Sequence, residues 1–416
     1  MEEEDYEGEF ILGWPGKKRL TRMERTDGEG RVIYAQAPIL EQDGLITPVD
    51  ASYIVAQIGM PDPVHPLDWE FEVTGEVDNP LSIDLAALRK LPARTVRAVT
   101  ECAGNDGDFF EYLEDKLNFK PKILHSKDQI DDWFSMHQDE EASMDEILAA
   151  PRSTNLCSAG EWTGTPLRNV LEMAGVKDGA VSVRLEGFDV GRPDPMRIYR
   201  ALGHTDAELH DPGEINFDKA LPMEKALHED TILAWAHNGD SLLHVHGAPV
   251  RLIVPGWAGN WWVKWIQKVE IHDHMPECYH QTHYFVFGKA PEDKDQPMMT
   301  ALGCKSIIKS PRESETPLKV GEHLIEGLAW SGEGEIVRVE ISLDGGATWQ
   351  DVHIEHSPDR WLWKRWSYLW NAEAPGSYSI MARAHDEAER VQPVTEWNYQ
   401  LKHFDGIIPV DVTVAA

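Results

Sequence analysis

Apolar and polar positions along the chain switch repeatedly between a two-residue and a 3.6-residue period. Trp69-Glu70-Phe71-Glu72-Val73 alternates strictly and predicts a strand. Residues 82–91 read as a short helix capped by Ser82. The β-branched run Thr95-Val96-Arg97-Ala98-Val99-Thr100 predicts a strand that opens into the small residues Cys102-Ala103-Gly104-Asn105. Leu167, Val170, Leu171 and Ala174 recur at helical spacing and predict a helix over 166–174, with Pro166 where a first turn tolerates it. Residues 181–185 and the apolar run 250–254 read as strands, the first leading to Gly187-Phe188-Asp189 and the second to Pro255-Gly256. Short strands and helices without a βαβ rhythm predict an α+β fold rather than a doubly wound sheet.

Beyond residue 300 the pattern is strand after strand. Val337, Val339, Ile341 and Leu343 fall on one predicted face, followed by the turn signal Asp344-Gly345-Gly346. Further strands are expected over 348–354 and through Tyr378, Ile380, Ala382 and Ala384, which together predict an immunoglobulin-like sandwich. The Pro/Lys/Asp-rich stretch 289–297 reads as the linker. The expected units are an N-terminal arm over 1–48, an α+β unit over 49–295 and the sandwich over 296–416. Regular structure is expected from Tyr53-Ile54-Val55 onward. An acidic insertion over about 106–150 carries a helical pattern over 139–149 and reads as a lid or a solvated excursion.

Composition narrows the functional classes. Asp plus Glu outnumber Lys plus Arg by 72 to 39, a net charge of -33, which repels phosphate backbones and anionic membranes. Nucleic acid is therefore excluded as a partner. The four cysteines, Cys102, Cys157, Cys278 and Cys304, show no paired spacing, as expected in a reducing compartment. The acidic N-terminus has no secretory pattern, and no apolar run spans a bilayer, so the expectation is a cytoplasmic protein without membrane insertion. Alternating aromatics in Trp361-Leu362-Trp363-Lys364-Arg365-Trp366 read as core or dimer-face packing rather than a base-stacking platform.

The candidate chemistry lies in two places. Cys102 at a strand end beside a Gly/Asn loop suits a soft metal ligand, the alternative being a buried thiol. Residues 237–265 carry His237-Asn238-Gly239, His246-Gly247-Ala248-Pro249-Val250-Arg251, Val254-Pro255-Gly256-Trp257-Ala258-Gly259-Asn260 and Val263-Lys264-Trp265. Gly-bearing loops flanked by His246, Arg251 and Lys264 suit an anionic cofactor held largely by backbone. A weaker possibility is zinc on His272, His274, Cys278, His280 and His283, whose spacing fits no tight finger and would define a zinc hydrolase.

These segments resemble the sulfite oxidase family of molybdenum-cofactor oxidoreductases. Glu101 to Asn105, Cys157-Ser158-Ala159-Gly160-Glu161-Trp162-Thr163-Gly164, Gly187-Phe188-Asp189, Ala220-Leu221-Pro222 and the loops of 237–265 carry the likeness, in order. Ala329-Trp330-Ser331-Gly332 and residues 342–349 extend it into a dimerisation domain, and the phrasing around Glu161 and Gly256 is nearest the sulfane dehydrogenase branch. The resemblance implies a sulfite-oxidase-like molybdopterin domain followed by the sandwich. It also implies that Cys102 ligates molybdenum, and that Asp189, His246, Arg251, Trp262, Val263, Lys264 and Gln57 hold Mo-molybdopterin. Oxygen-atom transfer on a sulfur-containing or other small substrate follows, with a homodimer, no heme in this chain and electrons leaving to an external carrier such as a cytochrome.

The chain departs from the family in its substrate pocket. The family arginines align with Ala56, Gly107 and Tyr399 or Gln400, and the pocket tyrosine with Phe217. Without those guanidiniums a sulfur oxyanion lacks its bidentate cradle. Asp106, Asp108, His125 and His137 of the insertion are the candidate replacements, and a non-catalytic homologue that only binds cofactor or partner is the competing expectation.

Overall fold

The computed structural model describes residues 22–107, 155–193, 212–288, 293, 295–312, 316–357, 359–393, 398, 400 and 402–416. The expected helix over 139–149 and the residues Asp108, His125, His137 and Tyr399 lie outside these described residues. Regular structure begins earlier than the pattern predicts. Arg22–Thr26 and Val32–Gln36 form a hairpin that is joined by Ile54–Val55. Ala35 and Ala37 are buried, so part of the expected irregular arm is packed chain.

Two five-stranded sheets build the α+β unit. One orders Asp240–Ser241, Ile232–His237, Cys157–Pro166 and Arg94–Glu101, with Arg251–Ile253 also on Ile232–His237. The other orders Leu81–Asp84, Glu70–Gly75, Ile266–His272, Ser182–Gly191 and Ile215–Pro222. Its pair Glu70–Gly75 with Ile266–His272 is parallel and its other pairs are antiparallel. The expected helix over 82–91 is corrected: Leu81–Asp84 is a strand, and the helix is only Leu85–Leu88. Its cap is Asp84, whose carboxylate accepts from the Ala87 N–H at 2.6 Å, rather than Ser82. Ser82 sits in the ladder opposite Glu72, where strand pairing outweighs its capping tendency. The helix Leu167–Ala174 forms as its spacing predicts, burying Leu167, Val170, Leu171 and Ala174, and Gly175 closes it in the left-handed region at φ 69°.

The C-terminal unit is a sandwich. One sheet orders Lys305–Ser310, Gly321–Trp330, Lys364–Ala372 and His353–Ile354. The other orders Leu318–Lys319, Val410–Ala415, Gly376–Asp386, Ile336–Ser342 and Gln350–Asp351. Ile325, Trp366, Val339, Ile341, Ile380 and Ala382 lie in the core between them. Val337 does not join that face. A register irregularity between Ile336 and Arg338 turns it outward, and 57% of it is exposed. Trp363 and Trp366 of the aromatic run are buried.

The largest apolar core crosses the sequence linker. Trp69, Phe71, Val99 and Leu171 share one cluster with Ile307, Leu328, Trp330 and Trp363. Backbone bonds reinforce it, from Val99 N–H to the Trp361 carbonyl at 2.9 Å and from Leu302 N–H to the Gly256 carbonyl at 2.8 Å. Each fully buried large side chain contributes roughly 1.5–3 kcal/mol, so this packing holds the Cys102 strand against the sandwich.

Candidate active site

Arg94–Glu101 pairs with Cys157–Pro166 until Glu101 meets Cys157, and the ladder gains one more bond, from Cys102 N–H to the Leu156 carbonyl at 2.9 Å. The chain then turns sharply, with Asn105 N–H donating to the Cys102 carbonyl at 2.9 Å. This brings the Cys102 side chain to the wall of a partly open cavity. Gln57, Asp189, His246, Arg251, Trp262 and Lys264 line the same cavity. Val263 does not: its side chain is buried and its carbonyl accepts from Leu252 N–H at 2.8 Å, so it serves the loop's backbone.

Local backbone explains these positions. Asp189 sits where the register between Ser182–Gly191 and Ile215–Pro222 breaks. A Cβ on Gly187 would collide with the Asp189 carboxylate and the Lys264 carbonyl. Gly247, at φ 105°, lets the chain pass Lys264 and Arg251, and its Cβ would lie 2.9 Å from the Lys264 side chain. Arg251 donates to the carbonyls of His246 at 2.9 Å and Trp262 at 3.1 Å, tying two loops together. Asn238-Gly239, both at positive φ, make the two-residue turn after Ile232–His237.

Burial dominates the electrostatics. It pushes Lys264 down to about 7, with Arg251 adding repulsion, and Asp189 up to about 7 against the pull of Lys264. Arg251 falls to about 10 for the same reason. The Cys102 thiol is pushed up by burial, partly opposed by the Gly104 N–H that donates to its sulfur at 3.4 Å.

Residues absent from the sequence-derived set complete the cavity. His237 stacks on Trp162 with ring centroids 3.9 Å apart and meets His246 edge-on at 5.5 Å. Burial and Arg251 hold it down to about 3, so its imidazole is neutral. Both its ring nitrogens, Trp162 Nε1, Asp189 Oδ1, Arg251 Nε and both amide atoms of Asn260 are buried without a hydrogen-bond partner. Buried polar atoms are seldom left so. Their convergence on one cavity fits a bound group that offers both donors and acceptors and carries negative charge. A pterin with a phosphate meets that description. His237, Trp162 and Asn260 stand inside the quoted motifs, but nothing in the sequence separated them from neighbours that serve only the turns.

Phe217 and Phe285 also line the cavity. Lys219, wholly buried, lies behind them, its ammonium nitrogen 4.6 Å from the Phe285 ring and 5.7 Å from that of Phe217. Ala56 packs against the cluster of Ala35, Ile54 and Trp265 rather than lining the cavity, and Gln400 donates to the His283 carbonyl at 3.4 Å. Arg251 is the one guanidinium among the described lining residues. Asp106 is not in the cavity wall but pairs with Lys305 at 2.5 Å. Among the described residues no group of three or more His, Cys, Asp or Glu side chains converges as a metal site, so nothing supports zinc on the His272 to His283 segment.

Sheet order, sandwich and cavity together describe a two-unit protein whose cavity would hold an anionic cofactor. The oxidoreductase molybdopterin binding domain matches residues 57–127 and 136–280, and the Mo-co oxidoreductase dimerisation domain matches 296–402. The chain belongs to this family of molybdopterin-binding oxidoreductases, and its cofactor is the molybdenum cofactor. It is 28% identical over 347 residues to sulfite oxidase of Gallus gallus, covering 79% of this chain and 64% of that protein. It is 28% identical over 407 residues to inducible nitrate reductase (NADH) 1 of Glycine max, covering 90% of this chain and 40% of that protein. The chain thus spans less than two thirds of the length of these relatives. The fold matches the crystal structure of the sulfane dehydrogenase SoxCD from Paracoccus pantotrophus with a TM-score of 0.70 at 24% identity, covering 96% of this chain and 90% of that one. No helix among the described residues is long and apolar enough to cross a membrane.

Proposed function

We propose that this chain carries out two-electron oxygen-atom transfer on a small, sulfur-containing substrate and passes the electrons to an external carrier. The observation that carries the reading is the convergence of unpartnered buried polar atoms and the Cys102 sulfur on one cavity. When bound, the cofactor supplies the redox chemistry at its metal. Cys102 would be the protein ligand, and a bound metal would displace its thiol proton in spite of burial. Arg251 and Lys264 would hold the phosphate, whose negative charge would favour the charged form of Lys264. Neutral His237 stacks on Trp162, and its ring nitrogens, the Asn260 side-chain amide and the Asp189 carboxylate would hold the pterin. Trp262 and His246 close the pocket, the loop carrying Val263 holds Lys264, and Gln57 reaches it from the N-terminal side.

The wall of Phe217 and Phe285 receives the substrate and excludes water from it. The units are read as a molybdopterin domain over 49–295 and a dimerisation domain over 296–416 that makes a homodimer. Purified protein is expected to contain about one molybdenum per chain, and Cys102→Ser to lose activity entirely. A metal-free preparation, or full activity in Cys102→Ser, would refute the reading. The replacement of the pocket tyrosine by Phe217 favours a second reading, a homologue that binds cofactor without turnover. Addition of a reduced sulfur substrate to the loaded protein, followed by electron paramagnetic resonance, separates the two, since only a centre that turns over takes electrons from substrate. Sedimentation analysis is expected to give twice the 47.0 kDa chain mass.

A further inference from the structure

Behind Cys102, on the side away from the cavity, lies a buried polar cluster that the cofactor reading does not use. Lys305, on the first strand of the sandwich, is 1% exposed. Its ammonium donates to Glu101 at 2.7 Å, to Asp106 at 2.5 Å and to the Phe404 carbonyl at 2.8 Å, which satisfies all three of its protons. The other Glu101 oxygen accepts from the Trp330 indole at 2.8 Å. Asn105 donates to Glu101 at 2.8 Å and to Asp106 at 3.1 Å, while its carbonyl oxygen accepts from the Leu156 N–H at 2.9 Å. His403 N–H donates to the Ala103 carbonyl at 2.5 Å.

These groups bracket the turn from both ends. Glu101 precedes Cys102, Asp106 follows the turn, and both are tied to one cation from the other unit. Asp106 adopts a left-handed backbone, φ 58°, which a non-glycine residue keeps only when its surroundings fix it. An ammonium buried with two carboxylates adds little net stability over an apolar set of the same volume. What such an arrangement does is select one geometry.

We propose that Lys305 is a positioning residue for Cys102: by holding Glu101 and Asp106 together it fixes the turn and the direction in which the sulfur enters the cavity. The proposal rests on the reading of Cys102 as the metal ligand. It makes the sandwich, through Lys305 and Trp330, a structural part of the active site.

The test uses the full chain, with and without cofactor. Lys305→Met strands two buried carboxylates and risks misfolding, so two further variants accompany it. Trp330→Phe removes one hydrogen bond and keeps the ring, and the triple variant Lys305→Met, Glu101→Gln, Asp106→Asn leaves no charge behind. In cofactor-free protein, iodoacetamide labelling is followed by mass spectrometry of each cysteine peptide. Cys102 is expected to react about tenfold faster in each folded variant, as the loss of one charge-assisted hydrogen bond allows. Cys157, Cys278 and Cys304, all buried, are expected to keep their wild-type rates. In loaded protein the variants are expected to retain molybdenum and shift its electron paramagnetic resonance spectrum. Wild-type Cys102 reactivity and an unshifted spectrum in Trp330→Phe and the triple variant would overturn the proposal, as would equal acceleration at all four cysteines. Absence of molybdenum from wild-type protein would overturn the ligand reading alone, and the labelling rates would still decide the role of Lys305.

Discussion

Single side chains in this cavity stay neutral or charged according to how much water they have lost. His237 is the clearest case, with burial and Arg251 holding it down to about 3. The unfolded chain takes up a proton near the ordinary histidine value of about 6.5 while the folded chain does not. Its contribution is therefore fully present above that value and is lost as the pH falls toward 3, at about 1.4 kcal/mol per pH unit. His244 and His280, held down to about 4 and about 3 mainly by burial, act in the same direction. Urea denaturation of cofactor-free protein between pH 6.5 and 4 is expected to show this acid loss, and His237→Phe to reduce its slope by about one proton. An unchanged slope would show that His237 is protonated in the folded state. The residue scale was also the hardest to read in advance. Cys102 and Arg251 declare themselves by type and neighbours, but the unpartnered nitrogens of His237 and Trp162 exist only once Ile232–His237 and Cys157–Pro166 are paired.

One strand separates folding from function at the level of the element. Cys157–Pro166 lies between Ile232–His237 and Arg94–Glu101 and carries two glycines with different neighbours. A Cβ at Gly164 would meet Ala234 Cα at 2.5 Å as well as the Leu233 carbonyl, both unyielding backbone. Gly164→Ala is expected to cost about 1–3 kcal/mol, read as a lower midpoint in thermal unfolding. A Cβ at Gly160 would instead meet His237 Nε2 at 2.7 Å and the Trp162 ring at 2.9 Å, side chains of the cavity wall. Gly160→Ala is expected to lower molybdenum content more than it lowers stability, measured by elemental analysis beside the unfolding midpoint. The elements themselves were largely legible: periodicity found the helix Leu167–Ala174 and the strand leading to Cys102. It failed where partners decide. Ser82 looks like a cap until Glu70–Gly75 claims it, Val337 fits an alternation that a bulge interrupts, and Val32–Gln36 shows no strong pattern because its sheet has three short strands.

Across the whole molecule, the composition of 289–297 marks a linker in sequence, yet the packed core disregards it. Trp330, Leu328 and Trp363 share a cluster with Val99 and Trp69, and backbone bonds join Gly256 to Leu302. Calorimetry of the intact chain is therefore expected to give one cooperative transition, with calorimetric and van't Hoff enthalpies equal. Two resolved transitions would show that the units unfold separately. The far-reaching contacts, such as Lys305 to Glu101, were invisible in the sequence because 204 residues part them and no period links them.

The pairing of Lys305 with Glu101 and Asp106 bears on how this protein can be taken apart. A fragment cut before residue 296 keeps every residue assigned to the cofactor but loses the cation, leaving two carboxylates side by side under the cysteine. They would repel each other, draw in water and spread the turn. Such a fragment is a poor vehicle for biosynthetic loading or for transplanting the site to another scaffold. The smallest portable version of this metal anchor includes a strand that never touches the cofactor.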